Sequence, residues 1–379
     1  MSFKTKKEIK MKHLLVGLSI LFCSLYVFSQ ETIEKEYKTA PGQLLDVELH
    51  SGGSLSILGW DRETVRIKVL FGKHDDLDNF GFEFNELLSG IAIKSDLKNP
   101  VRQKVIGMET FIHVPKMYNL NLRTSGGSIK IKNIEGKIDG WTSGGNITLQ
   151  DSKLDGEVHT AGGKVLIENV VGDIEGHSAG GEVVYKNVVT PKKTFPRDLV
   201  YIRNTGGSIN VIDAPRGADV ATAGGDIHIH SALEFVKAET AAGNITIDEA
   251  DGWVEATTFA GNIYLKMTGN PWEGTRRDVT LLSWLGDITL VVPPDLPIDV
   301  DITLGRTIEN KKDHKIFSDF SLVKEKTDKW ISEHGTQINY IHSTGMVGSG
   351  HHKIKLKTVN GNIYLKKRTL QTSEGKGKK

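Results

Sequence analysis

Three side chains in the middle of this chain are of the types that bind transition metals, namely His228, His230 and Asp248. The two histidines are two residues apart, so in a β-strand both imidazoles lie on the same face. Asp248 follows His230 by 18 residues, which is the period of a repeat that runs through this region. If successive repeats stack, Asp248 lies beside His230 and the three side chains form a candidate metal site.

The alternative to a metal site is an ordinary exposed strand face, on which polar side chains form cross-strand pairs such as Glu168 with Lys186. We favour this alternative. We therefore predict no catalytic residue, no cofactor and no bound metal, and retain His228, His230 and Asp248 as the one candidate metal site.

The element that positions these residues is a repeat of 18 residues between positions 124 and 265. Each copy contains a hydroxyl or amide residue, two small or apolar residues, a glycine, one variable residue, and Ile or Val; the last of the two small or apolar residues and the glycine form a pair that is Gly-Gly in most copies. The second residue of the pair is glycine at positions 127, 145, 163, 181, 207, 225, 243 and 261. A strict short period indicates an all-β solenoid, a single-stranded β-helix in which each 18-residue coil stacks on the last.

Two columns of apolar residues follow the glycines, two and four positions after each second glycine, and the residue between them is mostly polar or amphipathic. This alternation predicts a half-buried strand with both columns inward. A weaker alternation predicts a second strand in each coil. The inward residues of the first strand are Ile129, Ile147, Val165, Val183, Ile209, Ile227, Ile245 and Ile263, followed two positions later by Ile131, Leu149, Ile167, Tyr185, Val211, Ile229, Ile247 and Leu265.

The glycines and the hydroxyl column have separate structural roles in this interpretation. A chain that reverses every few residues needs positive φ angles, which glycine adopts without steric cost, so we expect positive φ at the glycine pairs. The stacked hydroxyl or amide side chains are expected to hydrogen-bond along the stack or to the turn backbone. An ice-binding threonine array is disfavoured because the partner position is Ala, Gly or Phe. The column consists of Thr124, Thr142, Thr160, Ser178, Asn204, Thr222, Thr240 and Thr258.

Residues 1–29 are predicted to be a signal peptide, because five lysines precede an apolar stretch, residues 14–28, that is too short for a comfortable membrane span. Cleavage after Ser29 fits the preference for a small residue. Cys23 follows Phe22, where a lipoprotein signal requires a small residue, so we do not expect a lipid anchor. The mature chain then contains no cysteine. We predict export to the periplasm, the outer-membrane surface or the extracellular space, with no transmembrane segment in the mature chain.

The net charge of the chain excludes one class of partner. The whole chain has a formal charge of +1, and loss of residues 1–29 removes five lysines and one glutamate, which leaves it slightly acidic. No basic stripe remains that could neutralise a phosphate backbone, so we predict no nucleic-acid partner.

The length of the chain does not require several domains, because a longer solenoid contains more coils and not additional hydrophobic cores. We therefore expect one elongated domain, with a β lead-in or cap at 30–123, regular coils at 124–265, and irregular coils with a basic tail at 266–379.

Three segments depart from the regular repeat. Prolines and charges at residues 190–197 predict a loop that leaves the stack. The segment 307–334 is rich in Lys, Asp and Glu, and its composition is compatible with a short helix. His351 and His352 are interpreted as exposed sequence near the C-terminus.

Three passages together resemble the bacterial putative-adhesin family, a cell-envelope domain of unknown function. They are the Leu-Gly-Trp-Asp-Arg turn between two strands at 55–67, the repeated Gly-Gly-x-Ile coil, and the closing passage at 348–365. The resemblance implies a right-handed single-stranded β-helix and an envelope or surface role. It implies no catalytic residues.

Several enzyme signatures are missing from the sequence. No phosphate-binding Gly-Lys-Ser/Thr motif follows the glycines, no calcium-binding nonapeptide frame is present, and no Gly-x-Ser-x-Gly elbow occurs. We therefore favour a non-enzymatic, adhesin-like scaffold or binding surface with an unknown envelope, glycan or protein ligand.

Two alternative functions remain open. A β-helical carbohydrate-active enzyme, either a lyase or a hydrolase, requires carboxylates that converge on one groove, and we expect no clustered acidic patch on the outward columns. A periplasmic glycan- or peptide-binding module requires exposed aromatic side chains. The candidates for that role are Trp141, Trp253, Phe259 and Tyr264.

Overall fold

The computed structural model describes residues 32–72, 77–99, 107–189, 199–269, 276–310, 312–327, 329–333 and 335–369. The predicted signal peptide, the predicted loop at 190–197 and the basic residues 376–379 lie outside the described residues. The described part is all-β, apart from a 3-10 helix at Leu77–Asn79, and its strands belong to one hydrogen-bonded sheet. Within these ranges no helix has the length and hydropathy needed to cross a bilayer.

The strands before the regular repeat are β1 Thr32–Lys38, β2 Leu44–Leu49, β3 Ser54–Trp60, β4 Thr64–Leu70, β5 Phe80–Leu87, β6 Gly90–Leu97, β7 Glu109–Pro115 and β8 Asn119–Thr124. The strands of the repeat are β9 Ile129–Lys132, β10 Glu135–Thr142, β11 Ile147–Thr160, β12 Val165–Val171, β13 Ile174–Ser178, β14 Val183–Val189, β15 Val200–Asn204, β16 Ile209–Ala214, β17 Ala218–Thr222, β18 Ile227–Thr240, β19 Ile245–Ala260 and β20 Ile263–Met267. The remaining strands are β21 Val279–Leu285, β22 Ile288–Val292, β23 Ile298–Thr307, β24 Ile316–Ser318, β25 Val323–Lys326, β26 Ile331–Glu333, β27 Thr336–Met346, β28 His352–Val359 and β29 Ile363–Lys367.

Within the repeat, strands of consecutive copies pair in parallel at the 18-residue period. Strand β9 pairs with β11, which places Ile129 opposite Ile147, and β11 pairs in turn with β12. The second strands behave in the same way, since β10 pairs with β11 and β17 with β18. Residues that lie 18 positions apart in the sequence are therefore opposite each other in neighbouring strands.

The predicted inward columns form the core of these coils. Every residue in the two columns that follow the glycines is buried, with at most 2% of its surface exposed. Full burial of an aliphatic side chain contributes about 1.5–3 kcal/mol relative to exposure. The paired strands of consecutive repeats thus bury a continuous apolar interior, and the prediction of which residues face inward is confirmed.

The hydroxyl and amide column is also buried, and each side chain donates a hydrogen bond to a glycine carbonyl oxygen of the preceding coil. Thr142 Oγ1 lies 2.7 Å from Gly127 O, and Thr160 Oγ1 lies 2.8 Å from Gly145 O. The expected hydrogen bonds to the turn backbone are therefore confirmed. The same bond is formed by Thr124, Ser178, Asn204, Thr222, Thr240, Thr258, Ser283 and Thr358.

The second glycine of each repeat is required because two backbones approach closely, and the prediction of positive φ at the glycine pairs is wrong. None of the paired glycines between 126 and 261 has a positive φ. A Cβ atom at Gly145 would lie 2.2 Å from Gly127 O, closer than any real contact. Positive φ occurs instead six positions after the second glycine, where short amide or carboxylate side chains tolerate the left-handed region. These residues are Asn133, Asp151, Asn169 and Asn187.

At both ends of the repeat region, the order of the strands in the sheet differs from their order in the chain. Strand β28 lies between β21 and β23, and β29 lies between β22 and β24, so residues 352–367 are inserted between two earlier parts of the chain. At the other end, β2 lies between β6 and β8. Antiparallel partners flank the outermost strands, with β5 beside β6 and β27 beside β23. The described residues of 307–334 contain the short strands β24, β25 and β26, and no helix.

The insertion of β28 corrects the prediction for His352, which is buried with 4% of its surface exposed. The backbone N–H of Arg277 donates to His352 Nδ1 at 3.4 Å. Burial lowers the pKa of His352 below its ordinary value of 6.5, and the nearby His351 and Arg277 act in the same direction. His351 is exposed, as expected.

Candidate metal and ligand sites

Strands β18 and β19 bring His228, His230 and Asp248 together, as the 18-residue period predicts. Their neighbours Ile227 and Ile229 point into the core, which places the two imidazoles on the outer face. Asp248 Oδ2 lies 2.7 Å from His228 Nε2 and 3.1 Å from His230 Nδ1. The three candidate ligand atoms lie within 4.8 Å of one another. Two imidazoles and one carboxylate can hold a transition metal ion.

The surroundings of this group favour an ionised carboxylate. Partial burial of Asp248 opposes ionisation, but the hydrogen bonds and charges of His228 and His230 outweigh it, so the pKa of Asp248 lies below its ordinary value. Asn210 lies opposite His228 in the preceding coil, and its buried Oδ1 atom has no hydrogen-bond partner. The geometry thus supports a hydrogen-bonded triad, and the absence of a metal ion here stays a prediction.

A second group of two imidazoles and one carboxylate was not predicted from the sequence. Glu157 and His159 lie on β11, and His177 lies on β13, directly opposite His159. The two imidazole rings stack with centroids 4.5 Å apart and an angle of 10° between planes. The candidate ligand atoms again lie within 4.8 Å of one another. The signal for this group is the recurrence of Glu-x-His one repeat apart, as Glu157-Val-His159 and Glu175-Gly-His177.

The same face carries an acidic column, so the expectation of outward columns without an acidic cluster is wrong. Asp139, Glu157 and Glu175 lie opposite one another in three consecutive coils. A basic side chain contacts each carboxylate, at 2.5, 3.2 and 3.5 Å respectively. These partners are, in the same order, Arg123, His159 and His177.

A groove of about 510 Å³ lies further along the stack, beside the threonine column. Phe259 and Trp284 line it, and their rings stack with centroids 6.1 Å apart and 4° between planes. Phe259 is 58% exposed. Alanines occupy the equivalent position in neighbouring coils, such as Ala241, which leaves open space in front of the rings.

The other predicted aromatic residues lie outside this groove. Trp253 stacks on Phe235 with ring centroids 4.9 Å apart. Trp141 lines a second, smaller pocket together with His159 and His177. Tyr264 is exposed on the first strand of its coil.

Comparisons with known proteins assign no family. No family model and no curated protein matches the chain. A solved structure of a putative adhesin from Parabacteroides distasonis is 13% identical, with a TM-score of 0.38, and the match covers 63% of this chain and 98% of that one. A putative lipid binding protein from the same organism is 11% identical, with a TM-score of 0.30 and coverage of 89% and 97%.

A third similar structure is a putative cell adhesion protein from Clostridium sporogenes, which is 11% identical, with a TM-score of 0.19 and coverage of 89% of this chain and 100% of that one. At identities and TM-scores this low, the similarities assign neither a family nor a function.

Proposed function

We propose that this chain is a non-enzymatic cell-envelope or surface protein, a single-stranded β-helix that binds an extended carbohydrate chain in the groove beside Phe259 and Trp284. The parallel pairing at the 18-residue period supports the β-helix. We propose a signal peptide at 1–29 that directs export, a cap at 30–123, regular coils at 124–265, and irregular coils at 266–379.

The observation that carries this proposal is the stacked pair of the exposed Phe259 and the half-buried Trp284. Their parallel rings form a flat apolar platform, and an aromatic face of this kind packs against the C–H face of a sugar ring. A carbohydrate also needs polar groups that fix its hydroxyls, and Glu239, Thr257 and Lys357 line the same groove. This combination favours a polyhydroxylated ligand over a purely apolar one.

The groove does not support glycoside hydrolysis. The two-carboxylate mechanism requires a general acid and a second carboxylate on opposite sides of the scissile bond. Among the described residues that line the groove, Glu239 is the one carboxylate, and it forms an ion pair with Lys237 at 3.3 Å. The acidic column of Asp139, Glu157 and Glu175 does not line this groove. We therefore propose binding without turnover.

The proposal is tested by screening the mature chain on a glycan array and measuring affinity for the best ligand. We expect Phe259→Ala to weaken binding by about tenfold or more, the equivalent of about 1.4 kcal/mol. Phe317→Ala is the matched control, because Phe317 is 47% exposed and stacks on Tyr364 with centroids 5.0 Å apart, yet it does not line the groove. No glycan binding, equal losses in both variants, or release of sugar products would contradict the proposal.

A further inference from the structure

The stacked imidazoles of His159 and His177 lie outside the proposed carbohydrate groove, and their hydrogen bonds fix the orientation of one of them. His177 Nδ1 lies 3.1 Å from the backbone carbonyl oxygen of Arg203. A carbonyl oxygen only accepts, so Nδ1 carries a proton, and in the neutral imidazole Nε2 is the nitrogen with the lone pair. An imidazole that donates one N–H to a backbone carbonyl and presents its other nitrogen is the usual arrangement of a metal-ligating histidine.

One pair of the ligand atoms, on Glu157 and His159, already has the separation that a metal imposes. Bonds of 2.0–2.2 Å in a tetrahedral zinc site place neighbouring ligand atoms about 3.3 Å apart. His159 Nε2 lies 3.2 Å from Glu157 Oε2, and His177 Nε2 lies 3.5 Å from Glu175 Oε2. The ligand atoms of Glu157, His159 and His177 lie within 4.8 Å of one another, and a tilt of the two parallel rings toward each other brings both Nε2 atoms to one ion, with Glu175 as an adjacent carboxylate.

The imidazoles of this group are also less exposed than those of the group at His228. The side chains of His159 and His177 are 37% and 23% exposed, whereas that of His230 is 60% exposed. Stacking restricts both rings before any ion binds, so less side-chain entropy is lost on binding.

We propose that Glu157, His159 and His177 bind a divalent transition metal ion. Imidazole and carboxylate ligands in this combination suit Zn²⁺, Cu²⁺ and Ni²⁺, while Ca²⁺ and Mg²⁺ prefer sites made of oxygen ligands. The adjoining pocket, about 370 Å³ in volume and lined by Trp141 and Ala161, leaves the outer side of the site open. The fourth coordination position is therefore accessible to water or to a small ligand.

The proposal is tested by calorimetric titration of the mature chain with Zn²⁺. We expect His159→Asn to weaken the tightest site by about tenfold to a hundredfold, as loss of a ligand or its support does in known sites. His228→Asn is the matched control, because it also removes an exposed imidazole that contacts a carboxylate, and it should leave the tightest site unchanged. No Zn²⁺ binding, or loss of the tightest site in His228→Asn alone, would overturn the proposal.

A measurement on the unaltered chain removes any dependence on the folding of a variant. Substoichiometric Cu²⁺ broadens the NMR signals of imidazoles that bind it. We expect the signals of His159 and His177 to broaden before those of the other histidines, and both to broaden at the same Cu²⁺ concentration. Broadening confined to His228 and His230 would place the metal at the other group and contradict the assignment.

Discussion

Alanine at Gly145 should destabilise the coils strongly, while alanine at the neighbouring Gly144 should not. A Cβ atom added at Gly145 would lie 2.2 Å from Gly127 O, whereas one at Gly144 meets no atom within 4 Å. Neither glycine has a positive φ, so backbone strain does not distinguish them. A carbon and a carbonyl oxygen approach to about 3.3 Å at closest. The two coils must therefore separate by about 1 Å at this corner, which is the difference between the closest allowed carbon–oxygen distance and the distance that the added Cβ atom would have.

The cost follows from the contacts that this separation breaks. Thr142 Oγ1 donates to Gly127 O at 2.7 Å, and the backbone N–H of Ile129 donates to Asn146 O at 2.8 Å. Each such hydrogen bond contributes about 1 kcal/mol, and a buried group left unpaired costs about 1–3 kcal/mol. Together with looser packing of the nearby core, Gly145→Ala should cost about 3–5 kcal/mol.

Urea unfolding followed by far-UV circular dichroism measures the difference. Gly144→Ala should leave the free energy of unfolding within about 1 kcal/mol of the parent, because alanine at an unstrained position chiefly reduces the entropy of the unfolded chain. Equal midpoints for the parent and Gly145→Ala would refute the close approach of coils at this corner. An equally large loss in Gly144→Ala would show that the glycine pair acts through backbone conformation instead.

Three further outcomes are expected. Thr160→Val should cost about 2–4 kcal/mol in urea unfolding, since it removes the partner of a buried carbonyl and a buried amide, while Thr160→Ser should cost no more than about 1 kcal/mol. Ile227→Asp should lower the melting temperature far more than His228→Asp, because an unpaired carboxylate at a buried position costs several kcal/mol; equal losses would reverse the inward assignment. Since the pKa of His352 is lowered in the folded chain, the unfolded chain takes up a proton first on acidification. Melting temperature should therefore fall as the pH drops through 6.5, and His352→Gln, unlike His351→Gln, should flatten that fall.

The parts of the fold that follow from local periodicity were predictable. Residues such as Ile147 and Leu149 are buried because each coil repeats the same alternation, and Thr160 hydrogen-bonds to the backbone because its column lies beside the turn. The candidate group at His228, His230 and Asp248 follows from the same period. These inferences need only the spacing of residues within the repeat.

The remaining features depend on distances between segments that the sequence spacing does not reveal. Gly145 is needed because another coil's carbonyl oxygen occupies the space of its Cβ atom, and a sequence pattern does not show that approach. His352 is buried because β28 enters between strands that lie far from it in the chain, where no period links the partners. The recurring Glu-x-His of Glu157 and His159 was readable, but it lies before the glycines, outside the columns from which the site was predicted.

Disulfide trapping tests the central claim, that consecutive 18-residue coils stack in register, most directly. Lys130 and Thr148 lie opposite each other in adjacent coils, and Leu166 lies opposite Thr148 one coil further on. Adjacent strands are about 4.8 Å apart, and a disulfide requires Cα atoms within about 7 Å. With Cys23 replaced by serine, the pair Lys130→Cys and Thr148→Cys should oxidise to an intramolecular disulfide. The pair Lys130→Cys and Leu166→Cys, about two strand spacings apart, should not. Efficient bridging of the second pair, or failure of the first in a chain that remains folded, would contradict the stacked register.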